Sequence, residues 1–186
     1  MTSKSVANGP SAAVSRPVPP SEALELDRAL RGFTNLLVVS PFAEGTYWFL
    51  QAPLVYEDSA GHRIPVPTYF VTDFASIPRF LWSLLPKWDG YGTTSVVHDY
   101  LYWERKGFTR REIDRIMLSA MEDQKVGLLK RRVIYGALRL FGVFAWRSNA
   151  KKKAAGQLAY VLAGQPLPQP VETWPDYKRR VGHPDP

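Results

Sequence analysis

The hydrophobic pattern of this chain changes character near residue 75, and this change constrains the fold more than any other feature. Between residues 34 and 72, β-branched and aromatic residues form short runs separated by Pro and Gly, a pattern typical of antiparallel strands. Between residues 93 and 147, apolar residues recur every three or four positions, which is typical of amphipathic helices. We therefore predict an α+β fold in which a small antiparallel β-sheet precedes a helical half.

Local signals predict the individual elements. Three to four strands are expected in the runs TNLLVVS, GTYWFLQAPLVYE and HRIPVPTYFVT, with a hairpin turn at DSAGH. Thr109 and Glu112 form a capping box that starts a helix. A short connection joins this helix to the one before it, which predicts a central antiparallel helix pair. The expected helices are 23–33, 93–105, 110–124, 126–147 and a weaker one at 154–164, with a short helix or turn at 78–86.

The length of 186 residues and the composition suit a chain with a single domain and no disulfides. We place that domain at 23–163. It lies between a flexible tail rich in Ser, Ala and Pro (1–22) and an extended Pro-rich tail (164–186). The absence of cysteine excludes disulfide-linked partners and thiolate metal sites. We recognise no signal peptide and no apolar stretch long enough to be a transmembrane helix.

Positive charge is concentrated in the C-terminal part of the chain. Residues 124–171 contain nine Lys or Arg and no acid, within a formal net charge of +7. We expect a membrane surface or another anionic partner to contact Lys125, Arg132, Arg139 and Trp146, which repeat every seven residues. The alternative is a basic face in water, and nucleic acid is less favoured because no binding motif is present. The apolar stripe of this helix is predicted to consist of Leu129, Val133, Ala137, Leu140, Phe141 and Phe144.

The segment SVVHDYLY, residues 95–102, carries a His–Asp pair in a chain with three histidines. His98 lies nine residues before Gly107 and Asp114 lies seven residues after it, so the two reach similar heights in an antiparallel pair. Asp114 would then orient His98 and leave one ring nitrogen as a general base. Tyr102 is four residues from His98 on the same helix face and would support this network. The alternative is a hydrogen-bonded core histidine.

Two further carboxylates suggest a divalent cation. Asp99 points beside His98, and Asp73 follows a strand in TDFASIP, so both are candidate ligands for calcium. The metal would polarise an ester carbonyl while His98 activates water. Each carboxylate also has a simpler interpretation. Asp73 forms an Asx-turn, Asp99 pairs with an arginine, and Asp114 complements a helix dipole.

The order D-x-x-S-x-P, H-D-x-x-Y and then an Asp on the next helix resembles secreted phospholipase A2 of the bacterial and fungal branch, over about residues 70–123. The resemblance implies that His98 is the base, Asp114 its orienting acid, and Asp99 with Asp73 the calcium ligands. TDFASIP differs from the Gly-rich calcium loop of that family because it contains no glycine.

A closer resemblance covers about residues 35–147. The motifs T-D-x-x-S-x-P-R and H-D-x-x-Y are similar to those of a bacteriophage and prophage family of unknown function. This implies a phage or prophage origin, located in the host cytoplasm or the virion. The expected function is a phospholipase A2-like esterase that hydrolyses lipid acyl esters. The alternative is a non-catalytic tail or baseplate protein that contacts other phage structural proteins.

Overall fold

The computed structural model describes residues 32–74 and 92–183, in which six short strands precede four helices, so the chain has the predicted α+β fold. The flexible tail expected at 1–22, most of the helix expected at 23–33 and the short helix or turn expected at 78–86 lie outside the described residues. The strands are β1 (Gly32–Phe33), β2 (Val39–Pro41), β3 (Trp48–Leu50), β4 (Leu54–Glu57), β5 (Arg63–Val66) and β6 (Val71–Thr72). The helices are α1 (Gly92–Glu104), α2 (Arg110–Asp123), α3 (Leu128–Ala154) and α4 (Trp174–Arg180).

The strands form two antiparallel sheets rather than the single small sheet that we expected. Their orders are β1-β4-β5 and β2-β3-β6. The run GTYWFLQAPLVYE is divided between the sheets: β3 belongs to one and β4 to the other, and Pro53, which has no amide hydrogen to donate, lies between them. The predicted turn at DSAGH is confirmed, and the Asp58 carboxylate closes it by accepting the amides of Ala60 at 2.9 Å and His62 at 2.8 Å.

The helical half follows the sequence closely at its centre. The predicted capping box starts α2: the Thr109 hydroxyl accepts the Glu112 amide, and the Glu112 carboxylate accepts the Thr109 amide at 2.7 Å. Helices α1 and α2 form the antiparallel pair, and α3 packs against both. The connection can be short because Arg105 and Lys106 adopt left-handed conformations, with φ of 64° and 49°.

Apolar side chains from both halves meet in the main core. Tyr56 and Leu54 of β4 pack with Val97 and Leu101 of α1 and with Ile113 of α2, all of them buried. This packing fixes α1 against the sheets and turns the opposite side of α1 toward β6 and α3. Of the helices within the described residues, none combines the length and the apolar composition needed to cross a bilayer.

The apolar stripe that we predicted for the third helix does not face the core. Ala137 is buried, as expected, but Leu129 is 77% exposed and Leu140 is 71% exposed. The buried positions of α3 include Leu138 and Gly142, which lie on a different side of the helix. Gly142 explains this choice of face, because its missing side chain lets α3 approach α1 closely.

The C-terminal predictions also need correction. The helix expected at 154–164 is wrong: Val71 donates its amide to Ala159 at 2.8 Å, and Val161 donates its amide to Tyr69 at 2.9 Å. This segment therefore lies extended along β6. The Pro-rich tail, expected to be extended, contains α4, whose Tyr177 is fully buried.

Candidate active site

His98 and Asp114 form the buried pair that the spacing predicted. His98 projects from α1 and is 2% exposed, and its Nε2 atom lies 3.2 Å from Oδ1 of Asp114 on α2. The His98 ring also lies against the ring of Tyr102, one helical turn further along, with 4.0 Å between centroids. The antiparallel arrangement of α1 and α2 thus creates the contact between two residues that lie 16 positions apart in the chain.

Asp114 is the centre of a larger polar network. Its Oδ1 atom accepts the Tyr102 hydroxyl at 2.5 Å, and its Oδ2 atom accepts Nη1 of Arg139 at 2.7 Å and Nη1 of Arg110 at 3.3 Å. The same Arg110 nitrogen donates to the Leu138 carbonyl at 3.0 Å. The carboxylate therefore connects all three large helices as well as orienting the imidazole.

The electrostatics of this network determine the protonation states of His98 and Asp114. Burial lowers the pKa of His98, and the neighbouring Asp114 only partly opposes this, so the imidazole is neutral at pH 7. Burial acts to raise the pKa of Asp114, but hydrogen bonds from His98, Tyr102 and Arg139 outweigh it and hold that pKa below its usual range. An ionised Asp114 accepts a hydrogen from Nε2, which leaves the lone pair of the neutral ring on Nδ1.

A turn after β6 brings the second group of polar side chains to the same region. The Thr72 hydroxyl donates to Oδ2 of Asp99 at 2.6 Å and accepts the amide of Phe74 at 3.1 Å. Phe74 adopts a left-handed conformation with φ of 54°, a conformation that glycine adopts at less cost. The turn thus contains a backbone conformation that glycine usually supplies, and it positions the adjacent Asp73 beside the cavity.

A cavity of about 560 Å³ contains the candidate residues in its walls. His98, Asp99 and Asp73, all selected from the sequence, line this one cavity. Apolar side chains make up much of the remaining wall, among them Phe70, Val71, Phe141, Leu158 and Trp174. Lys152 and Lys178 contribute positive charge to the lining. The cavity therefore combines the candidate base with two carboxylates, basic groups and apolar side chains, while Asp114 contacts His98 from outside the lining.

The described residues do not complete a calcium site. Within 32–74 and 92–183, no group of three or more His, Asp or Glu side chains is arranged to hold a metal ion. Asp99 and Asp73 supply two carboxylates, and Asp99 already accepts the Thr72 hydroxyl. Calcium requires six to eight oxygen ligands, so these two residues alone do not fit a calcium shell.

The four residues predicted to contact a membrane or a partner do not form one surface. Arg139 turns inward to Asp114, and the Trp146 ring packs edge-on against Tyr102 and beneath the Arg105 guanidinium, 4.0 Å from its centroid. Arg132 is exposed on α3, and Lys125 is exposed in the connection before that helix. The seven-residue repeat failed as evidence for a common face because two of its members found partners in the interior.

Sequence reasoning missed the arginines on Asp114 and the hydroxyl on Asp99. Arg110 lies four residues before Asp114 on α2, a spacing that signals an ion pair on one helix. Arg139 and Thr72 carry no comparable signal, because their contacts depend on how α3 and β6 pack against the helix pair.

Comparison with known proteins places the similarity in the central part of the chain. Residues 48–138 match a family model described as protein of unknown function (DUF1353). A segment of the uncharacterized protein y4jT of Sinorhizobium fredii is 33% identical over 95 residues, which is 50% of this chain and 28% of that relative. No solved structure matches the chain significantly. The family match includes His98, Asp99, Asp114 and Asp73, and its description assigns no activity.

Proposed function

We propose that this protein is a phospholipase A2-like esterase of phage or prophage origin that hydrolyses lipid acyl esters with His98 as the general base. One observation carries the proposal. A neutral, buried imidazole, held through Nε2 by an ionised carboxylate, lines a cavity of about 560 Å³ whose wall mixes polar and apolar side chains. A general base needs a lone pair at the operating pH and a fixed orientation, and the His98–Asp114 pair supplies both.

The proton transfers follow from this arrangement. Nδ1 of His98 accepts a proton from a water molecule as the water oxygen bonds to the ester carbonyl carbon. Asp114 stabilises the imidazolium that results, because its carboxylate already accepts the Nε2 hydrogen. The imidazolium then returns the proton to the leaving alkoxide as the carbon–oxygen bond of the ester breaks. Arg110 and Arg139 keep Asp114 ionised throughout.

Part of the cavity lining suits the acyl chain of a lipid ester. The side chains of Phe70, Phe141 and Leu158 give an acyl chain an apolar surface beside His98. Calcium is the cofactor that the resemblance implies for Asp99 and Asp73, where it would polarise the carbonyl. Because the described residues do not complete its coordination shell, the proton transfers above do not depend on it.

The test is release of fatty acid from phospholipid vesicles by the full chain, measured with added calcium and with a chelator. His98→Gln is expected to lower the rate by about 10²-fold or more, since it removes the general base. The matched control is His62→Gln, because the His62 ring lies outside the cavity and is half exposed. Circular dichroism establishes that both variants fold. Equal rates for the protein and the His98→Gln variant would refute the assignment of the base.

The second candidate function is a non-catalytic virion protein, and the Asp114 network supports the non-catalytic part of this proposal. Bonds from Tyr102, Arg110, Arg139 and His98 give the carboxylate a structural role in joining three helices. In that case no variant would show ester hydrolysis, while His98→Gln would lower the free energy of unfolding. Detection of the protein in purified phage particles by mass spectrometry would support this candidate directly.

A further inference from the structure

An exposed apolar face runs along α3, although the protein has buried other side chains of the same helix. Leu129 is 77% exposed, Val133 41%, Leu140 71% and Phe144 69%. We refer to these four residues as the outer face. Large apolar side chains that are exposed together, rather than singly, mark a surface that contacts another molecule.

Helix geometry makes the outer face one continuous stripe. At about 100° per residue, its four members fall within an arc of about 60°, and they extend over about 22 Å along the axis. Arg147 and Lys151 fall within the same arc at the C-terminal end of the stripe, and both are exposed. The stripe therefore combines apolar side chains with positive charge on one side of α3.

We propose that the outer face docks on the surface of an anionic phospholipid bilayer. Leu and Phe side chains would enter the boundary between head groups and acyl chains, and the basic side chains would contact lipid phosphates. Charge distinguishes between the molecules that could cover the outer face. Residues 124–171 contain nine Lys or Arg and no acid, so an anionic surface complements α3, whereas a second copy would bring two basic helices together.

The position of the cavity adds a second argument. Phe144 belongs to the outer face and also lines the cavity that contains His98. Its neighbours Phe141 and Ala145 on α3 line the same cavity. A bilayer in contact with the outer face would lie at the rim of this cavity. This part of the inference rests on the proposed hydrolysis, and it means that substrate lipid would enter directly from the bilayer.

Vesicle sedimentation tests the docking with the full chain. The probes are vesicles of phosphatidylcholine alone and vesicles of phosphatidylcholine mixed with phosphatidylglycerol, at low and high ionic strength. We expect binding to the mixed vesicles that weakens as salt is added. The double variant Leu129→Gln/Leu140→Gln, in which neither residue lines the cavity, should bind roughly tenfold more weakly or worse, because both apolar side chains are lost from the contact.

A matched control replaces exposed apolar residues outside α3. Leu167 is 48% exposed and Val171 is 83% exposed, so Leu167→Gln/Val171→Gln should bind vesicles as the unmodified protein does. Equal binding by the outer-face variant, or no binding by the unmodified protein, would overturn the docking. If the unmodified protein formed a dimer that the outer-face variant did not form, and neither protein bound vesicles, the docking proposal would be overturned in favour of self-association.

Hydrolysis is measured separately so that the two proposals fail separately. Vesicle binding by the unmodified protein and by His98→Gln, with no ester hydrolysis by either, would support the docking and contradict the esterase. Hydrolysis of a dispersed short-chain ester by the outer-face variant, with vesicle hydrolysis lost, would support both proposals.

Discussion

Gly142 offers a direct test of the network around Asp114. A Cβ atom built at this position would lie 2.6 Å from the Tyr102 hydroxyl and 3.3 Å from Nη1 of Arg110. Tyr102 is 3% exposed, and its hydroxyl donates to Asp114 at 2.5 Å, so it cannot move aside without losing that bond. Gly142→Ala should therefore displace Tyr102 and weaken the support of the His98–Asp114 pair.

Two opposing effects set the magnitude. Alanine is favoured over glycine in a helix interior by about 1 kcal/mol, whereas a hydrogen bond to a charged group contributes about 1.5–3 kcal/mol. Gly142→Ala should therefore lower the free energy of unfolding by about 0.5–2 kcal/mol. Tyr102→Phe removes the hydroxyl that obstructs the Cβ atom. In that background Gly142→Ala should be neutral or stabilising, by no more than about 1 kcal/mol.

The assay is urea denaturation followed by circular dichroism, applied to the four members of this double-mutant cycle. Gly136 supplies the control, because it lies on the same helix and nothing lies within 4 Å of a Cβ atom built there. Gly136→Ala should stabilise by about 1 kcal/mol. If Gly142→Ala stabilised the unmodified protein to the same extent, Gly142 would not control the approach of α3 to Tyr102.

Other parts of the structure lead to three further predictions. The folded state lowers the pKa of His98, so below about pH 6.5 the unfolded chain binds a proton that the folded chain does not. The free energy of unfolding should therefore decrease as the pH is lowered, and the decrease should be steeper in the unmodified protein than in His98→Gln, by up to about 1.4 kcal/mol per pH unit. If urea denaturation gave parallel pH profiles for the two proteins, this prediction would be wrong. Thr109→Ala should lower the free energy of unfolding by about 0.5–2 kcal/mol by removing the cap of α2, and an unchanged denaturation midpoint would show that the cap contributes nothing. Tyr177→Ala should lower it by about 3–5 kcal/mol, because the ring is fully buried and its hydroxyl accepts the Leu162 amide at 2.7 Å; a small loss in thermal denaturation would show that α4 is not part of the core.

Local signals were sufficient for the helix pair and insufficient for the later segments. The Thr109 capping box and the apolar spacing located α1 and α2 because those signals act within a few residues. The prediction of the face that α3 buries was wrong because Gly142, rather than the most apolar stripe, determines the closest approach to α1. Residues 159–161 read as a weak helix because their extended form depends on pairing with distant residues near β6.

The candidate site was predicted where its geometry follows from the helix pair. Counting residues on either side of Gly107 brought His98 and Asp114 together, since two antiparallel helices fix relative height. The contact between Thr72 and Asp99 was not predictable in the same way, because it depends on where the sheet meets α1. The roles of His98 as base and of Asp99 and Asp73 as calcium ligands stay predictions.

The pairing between β6 and the segment after α3 has a consequence for the nascent chain. Phe70 pairs with Tyr160, which is synthesised 90 residues later. The edge of β6 therefore stays open while the helices are being made, and open strand edges favour association with other chains. Contacts between residues so distant in sequence also form late in folding. Chains that end before residue 159 should consequently aggregate even where their helices are complete.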